Sequence, residues 1–298
     1  MRSCRSALAE RLVRLSGMKK KFVDEKILSD YIEKKREDTT PYILPNIFKR
    51  KYGIKHEDFN GMDCYIYPGA AYSDKQIIYL HGGAYIDQPL SFHWMFLGKL
   101  QKETGARIIV PIYPKAPNYT YKDSFKQVLP LYQEVIQQTD PASVYLMGDS
   151  AGGGFSLALA QLLLEKDLPQ PRHIILLSPW LDIALDNPEI NATLEKIDPM
   201  IGIYGAIELG KLYAGDTDRT YYLLSPIYGE IKGLAEITLF VGTRELILPD
   251  ARKFRAIAKE QDVEIQYHEY SGMNHVFPVF PIPEAKKARK VIVEMINT

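Results

Sequence analysis

The sequence predicts an α/β fold: a mostly parallel central sheet with helices on both faces and a helical cap. Three observations carry this. From about residue 62 onward, short β-branched or aromatic runs alternate with longer helical patterns, the rhythm of a sheet covered by helices. Several runs, such as Ile77-Ile78-Tyr79-Leu80 and Ile174-Ile175-Leu176-Leu177, are apolar throughout, as strands buried on both faces must be. Finally, 298 residues with 46% hydrophobic content suffice for one large core, and a single sheet commonly organises a chain of this length.

Taken in order, residues 1–60 are helical and charged, then turn-rich around Pro41, Pro45 and Gly53, and form an N-terminal segment. Residues 61–298 form the second, larger unit. Its strands fall at 63–67, 76–80, 107–112, 144–147, 173–177, 237–241 and 263–270, and helical patterns cover 124–138, 151–166, 250–261 and 283–296. Residues 182–226 separate two strands by far more than a normal connection needs. With Tyr204, Tyr213, Tyr221 and Tyr222 and no strong strand signal, this stretch reads as a helical insertion, placed where a lid would sit.

Charge narrows the partners. With 37 basic and 37 acidic residues, no global field attracts nucleic acid or an anionic membrane. The zero is nevertheless a sum of unequal parts. Residues 1–21 carry seven basic side chains against Glu10 alone, a balance of +6, and residues 59–298 hold 22 basic and 28 acidic groups, a balance of −6. Ala7, Leu8, Leu12 and Leu15 recur at helical spacing among the arginines, which describes an amphipathic basic helix. Two readings are open: contact with a membrane surface, or docking on the acidic body or on a second subunit. Docking is preferred, because the helix is short and has no Trp or Phe on its apolar face. A homodimer is compatible with it.

Charges at Glu10, Arg11 and Arg14 interrupt every apolar run before a signal-peptide core could form, and no stretch of eighteen residues stays apolar. The expectation is a cytoplasmic protein without stable membrane insertion. Cys4 and Cys64 are too few for a disulfide framework or zinc cluster and are expected to be reduced and structural, with no metal site expected.

The chemistry gathers where strands meet glycines. Gly148-Asp149-Ser150-Ala151-Gly152-Gly153-Gly154 follows a strand and opens a helix, the context that G-x-S-x-G requires. Small neighbours let a serine occupy a tight strand-to-helix turn, with its hydroxyl at a helix N-terminus where developing negative charge is favoured. A phosphate loop is the alternative, but no Gly-Lys-Ser/Thr follows. His81-Gly82-Gly83-Ala84-Tyr85 follows another strand, and the amides of Gly82, Gly83 and Ala84, with that of Ala151, are candidates for an oxyanion hole. His81 itself reads as a structural histidine that ties the loop down.

A serine nucleophile needs a base and an orienting carboxylate. Histidines 56, 81, 93, 173, 268 and 275 compete. His268 falls on the polar face of an alternating strand, whereas His275 lies in the loop before the last helix, at the sheet end where catalytic groups gather. For the acid, Glu245 lies three residues past Gly242 in a loop, and Asp250 follows Pro249 in a first helical turn, where acids are common for dipole reasons alone. Glu245 ranks first and Asp250 second. The chain order is then serine, acid, histidine.

These motifs, together with Tyr113-Pro114-Lys115-Ala116-Pro117 and Ser178-Pro179-Trp180, resemble the hormone-sensitive-lipase-like branch of the α/β-hydrolases, the bacterial HGGG esterases, from about residue 60 to the C-terminus. The resemblance implies that Ser150 is the nucleophile, that amides of Gly83, Ala84 and Ala151 form the oxyanion hole, and that the N-terminal segment and the insertion shape an acyl site as a cap. It implies a cofactor-independent serine carboxylesterase acting on small or medium acyl esters. An amidase or deacetylase using the same groups, and a non-catalytic ligand receptor on the same scaffold, are the alternatives. Three departures stand out. Ala84 replaces the third glycine, tolerable with φ below zero or with room for its methyl; Glu245 stands where the family usually has Asp; and Val276 stands where a glycine usually follows the histidine. Tyr85, Trp180 and Phe277 are candidates for the substrate pocket.

Overall fold

A computed structural model describes residues 2–298. Among them, eight strands form one sheet in the order β1-β2-β4-β3-β5-β6-β7-β8: β1 (Lys55–Phe59), β2 (Met62–Tyr67), β3 (Gln76–Leu80), β4 (Arg107–Pro111), β5 (Val144–Asp149), β6 (His173–Leu177), β7 (Glu236–Arg244) and β8 (Ile265–Asn274). From β4 across to β8 every pairing is parallel, and β2 adds antiparallel to β4 with β1 hairpinned on its outer edge. The predicted strands are therefore present. Residues 55–59, placed in the N-terminal cap segment by sequence, belong to the sheet; their mostly exposed side chains leave no apolar signal to read.

Side-chain alternation sorts the core onto two faces. Ile78, Leu80, Leu146, Ile174, Leu176 and Leu239 point to one side, where helices α6 (Tyr121–Gln138), α7 (Ala151–Glu165) and α10 (Leu248–Glu260) pack. Ile77, Tyr79, Tyr145, Met147, Ile175 and Phe240 point to the other, under α5 (Ser91–Thr104) and α11 (Pro283–Asn297). Both sets are nearly inaccessible, which explains the continuous apolar runs. Helix α5 was not predicted: His93, Lys99 and Lys102 interrupt its apolar stripe, yet Trp94, Leu97 and Leu100 face the core. His268 proves half-buried, stacked on Phe240 at a 4.8 Å ring separation, rather than solvent-facing.

The N-terminal segment forms α1 (Cys4–Leu15), α2 (Lys20–Val23), α3 (Glu25–Glu37) and α4 (Asn46–Tyr52), and the insertion forms α8 (Ala192–Ile197) and α9 (Ile203–Ala214). Segment and insertion touch: a Cβ added at Gly205 of α9 would stand 2.4 Å from Phe22 Cα. Helix α1 lies against the body of its own chain. Its attachment runs through Glu10, which is bound by Arg244 as well as Arg2 and Arg14, through Ser3 and Ser6 on Glu284, and through Ala9 and Val13 against the apolar core, while Leu8, Leu12 and Leu15 are exposed. Cys64 is buried in β2, but Cys4 is exposed on α1 and packs no core. No described helix is long and apolar enough to cross a membrane.

Candidate active site

Five residues come together because each immediately follows a parallel strand: His81 after β3, Ser150 after β5, Ser178 after β6, Glu245 after β7 and His275 after β8. Parallel strands end at the same edge of the sheet, so residues up to 194 positions apart in the chain become neighbours. Ser150 adopts φ 50° and ψ −120°, a conformation that disfavours any side chain. Backbone bonds hold it there: its N–H donates to Leu177 O at 2.9 Å, and its carbonyl accepts from Trp180 and Gly154 N–H at 2.8 and 3.0 Å. Close packing around the turn admits only glycine. A Cβ on Gly152 would lie 2.0 Å from Leu80 O, and one on Gly148 would lie 2.2 Å from Gly152 O.

Ser150 Oγ lies 2.8 Å from His275 Nε2, and His275 Nδ1 lies 2.8 Å from Glu245 Oε2. The other Glu245 oxygen, Oε1, accepts from the Gly242 N–H and, at 3.0 Å, from Ser178 Oγ. Ser178 Oγ in turn accepts from the Val276 N–H at 3.0 Å, so one hydroxyl links the carboxylate to the backbone beside the histidine. Burial disfavours a charged imidazole, but the hydrogen bond and charge of Glu245 outweigh it and hold His275 above its ordinary pKa. Burial pushes Glu245 up, against the hydrogen bond from His275 and that from Gly242. With Nδ1–H committed to the carboxylate, Nε2 presents its lone pair to the serine hydroxyl.

Asp250, the second choice for the acid, is elsewhere. It is fully buried within α10, accepts from Asn187 Nδ2 at 2.9 Å, and makes no bond to His275. The physical reason is direction: Glu245 precedes the helix and turns toward the strand ends, while Asp250 lies in the first turn of the helix and faces Asn187. Burial, against the bond from Asn187, pushes its carboxyl up to about 7. Sequence reasoning missed Asp198 of the insertion. Fully buried, it accepts from Leu246 N–H at 2.7 Å and from Met200 and Ile201 N–H at 2.7 and 3.0 Å, which pins the turn carrying Glu245. No local pattern in the sequence marks it.

The glycine loop also needs one correction. The Gly82 N–H is not free, because it donates to Asp149 Oδ1 at 2.9 Å. Asp149 is a hub: Tyr79 Oη donates to the same oxygen at 2.6 Å, and His93 Nε2 donates to Oδ2 at 3.2 Å while its Nδ1 accepts from Leu90 N–H. Burial would raise the Asp149 carboxyl, but His93, Tyr79 and Gly82 together hold it below its usual value. The Gly83, Ala84 and Ala151 N–H groups have no acceptor among the described residues. Ala84 sits at φ 52°, so the condition of negative φ is not met; its methyl borders an open cavity, and room accommodates it instead. His81 directs Nδ1 to Gly82 O at 2.7 Å and stacks on Tyr113, a structural arrangement.

The cavity over Ser150 has a volume of about 580 Å³ and mainly apolar walls. Trp180 lines it. Tyr85 and Phe277 do not: Tyr85 is buried face to face with Tyr213 at 3.7 Å, and Phe277 packs against Tyr270 in the core below. Aromatic partners draw both rings away from the cavity: Tyr213 of α9 and Trp180 stack on Tyr85, and Tyr270 packs on Phe277. In their place Phe22 from α2 and Met200 and Ile201 from the insertion close the upper wall. Polar latches secure that cover: Lys21 and Tyr31 bind Asp87 of the glycine loop, and Lys19 Nζ binds the Asp198 carbonyl at 2.7 Å.

Comparison with known proteins agrees with this architecture. A candidate acetyl-hydrolase of Mycobacterium tuberculosis, LipR, is 31% identical over 75% of this chain and 73% of its own length. An esterase of Acinetobacter venetianus is 31% identical over 74% of each chain. Among solved structures, a candidate esterase from Staphylococcus aureus superposes with a TM-score of 0.89 at 30% identity, covering 93% of this chain and 94% of that one. Residues 77–279, a span that includes the serine turn, the glycine loop, Glu245 and His275, match the α/β hydrolase fold, and the chain belongs to that family.

Proposed function

We propose that this protein is a serine carboxylesterase that hydrolyses small to medium acyl esters through an acyl-enzyme. The observation that carries this is the continuous hydrogen-bonded path from Ser150 through His275 to Glu245, opening on an apolar cavity beside three free amides. Ser150 Oγ attacks the ester carbonyl as His275 Nε2 takes its proton, and Glu245 stabilises the imidazolium that forms. The oxyanion is received by N–H groups of Gly83, Ala84 and Ala151, the last at the N-terminus of α7, whose dipole favours negative charge. Collapse breaks the ester C–O bond, and His275 returns the proton to the departing alcohol. Water, deprotonated by the same imidazole, then attacks the acyl-Ser150 ester and releases the acid.

Cavity size supports the substrate class. About 580 Å³ with apolar walls holds a short or medium acyl chain with its alcohol. The relatives named as an acetyl-hydrolase and an esterase point to the same bond. Replacing Ser150→Ala is expected to lower kcat on an aryl acetate by about 10⁴-fold or more and to abolish labelling by a fluorophosphonate. Near wild-type turnover in the purified variant sinks the mechanism. A kcat/KM series over acyl chain length on the unaltered protein is expected to fall sharply once the chain outgrows the cavity.

A further inference from the structure

Helix α1 is held by one face and leaves the other unpartnered. Ser6 and Glu10 are buried, and Glu10, the only acid in the helix, is covered by Arg2, Arg14 and Arg244. Opposite them Leu8, Leu12 and Leu15, spaced i, i+4 and i+7, are 57%, 59% and 74% exposed. Three leucines in one stripe differ from the scattered apolar residues that any surface carries. Arg5 and Arg11, both exposed, flank the stripe on either side. An outward apolar stripe between cations, with no exposed carboxylate on the helix, is the pattern of a helix lying in the plane of an anionic lipid surface.

Two further features favour that occupant. Leu12 is both exposed and part of the cavity wall, as is Leu90 on the glycine-loop side, so the apolar patch is continuous with the cavity mouth. A second copy of this chain fits less well, since a two-fold contact would set Arg5 and Arg11 against the same arginines. We infer that α1 is an interfacial helix by which the protein adsorbs to an anionic lipid bilayer, its leucines in the acyl boundary and Arg5 and Arg11 at the phosphates. Adsorption is independent of the proposed reaction; only the delivery of lipid-borne esters to the adjoining cavity rests on it.

The test is co-sedimentation of the full chain with vesicles of phosphatidylcholine alone and of equimolar phosphatidylcholine and phosphatidylglycerol. The unaltered protein is expected to pellet with the anionic vesicles and to be released by added salt. The Leu8→Ser/Leu15→Ser variant, which leaves the cavity wall intact, is expected to lose about tenfold or more in partitioning. Arg5→Gln/Arg11→Gln is expected to remove the preference for the anionic vesicles. Circular dichroism and aryl acetate turnover of the leucine variant are expected to be unchanged, so a loss of binding is not a loss of fold. The inference is overturned if the unaltered protein stays in the supernatant with both vesicles, or if the leucine variant pellets equally. A dimer in sedimentation velocity that the leucine variant converts to monomer, without vesicle binding, also overturns it and assigns the stripe to self-association.

Discussion

At the strand ends, Ser150, Glu245 and His275 each follow a parallel strand by a single residue, and the acid and the histidine are 0% and 3% exposed. Above them, α1, α2 and the insertion are fastened by side-chain latches: Glu10 to Arg244, Lys21 to Asp87, and Lys19 to the Asp198 carbonyl. The first region is positioned by main-chain ladders that cannot slip without flipping a whole strand, and the second by side chains, the charged latches together with apolar packing of Phe22, Leu209 and Tyr213. Chemistry that demands hydrogen-bond distances is placed on the first; shape and access are left to the second. The two regions nevertheless meet at single residues. Arg244 directly precedes Glu245, and Asp198 holds the amide that follows it, so the cover is bonded to both sides of the acid.

The largest expected effect tests the strand-end region. Glu245→Gln is expected to reduce kcat on the order of 10⁴-fold, because the histidine loses both its tautomer bias and its countercharge. Asp250→Asn, one helical turn away, is expected to change kcat by less than about threefold, since Asp250 serves only a buried bond to Asn187. Equal losses in the two variants would show that the distinction between them is mistaken.

A smaller effect is expected from the cover. Glu10→Gln leaves Arg2, Arg14 and Arg244 facing one another without a counterion, and a loss of about 1–2 kcal/mol in stability to denaturant is expected from such a partly solvated cluster. KM is expected to rise more than kcat falls, because the cavity wall moves while the strand ends stay. A kcat loss as large as that of Glu245→Gln would erase the division between the two regions.

The subtlest expectation is a pH shift. His275 acts as a base only when neutral, and Glu245 holds its pKa above the ordinary value near 6.5, so kcat/KM is expected to fall as pH drops through a midpoint above 6.5. In Glu245→Gln the nearest charge is gone, and burial, which disfavours imidazolium, is opposed only by the weaker pull of Asp198 and Asp149. The His275 proton resonance followed by NMR is then expected to titrate at lower pH than in the unaltered protein; an unchanged midpoint would mean that Glu245 does not set it.

Much of this was legible before the structure. The apolar runs of β3, β5 and β6 announce themselves because both faces are buried, and Ser150 does so because a strained turn leaves a glycine trail. His275 and Glu245 are marked by their places after strands. The failures share a cause as well. Gly82 stands in a donor motif, but its amide is consumed by Asp149; Tyr85 and Phe277 stand beside the site but turn into the core; β1 carries no apolar signal. Asp198 lies 47 residues from Glu245 in the chain and is tied to the next residue by one hydrogen bond.

By itself, then, the sequence determined the strands from β2 to β8, the order of serine, acid and histidine along the chain, and the residue types at each strand end, because these follow from periodicity and from the steric demands of tight turns. Tertiary structure alone decided which amides stay free, which of two acids meets the histidine, what walls the cavity, and that the leucines of α1 face outward. Those outcomes depend on side-chain direction and on partners distant in the chain, and a contact between distant residues has no local signature in the residues that make it.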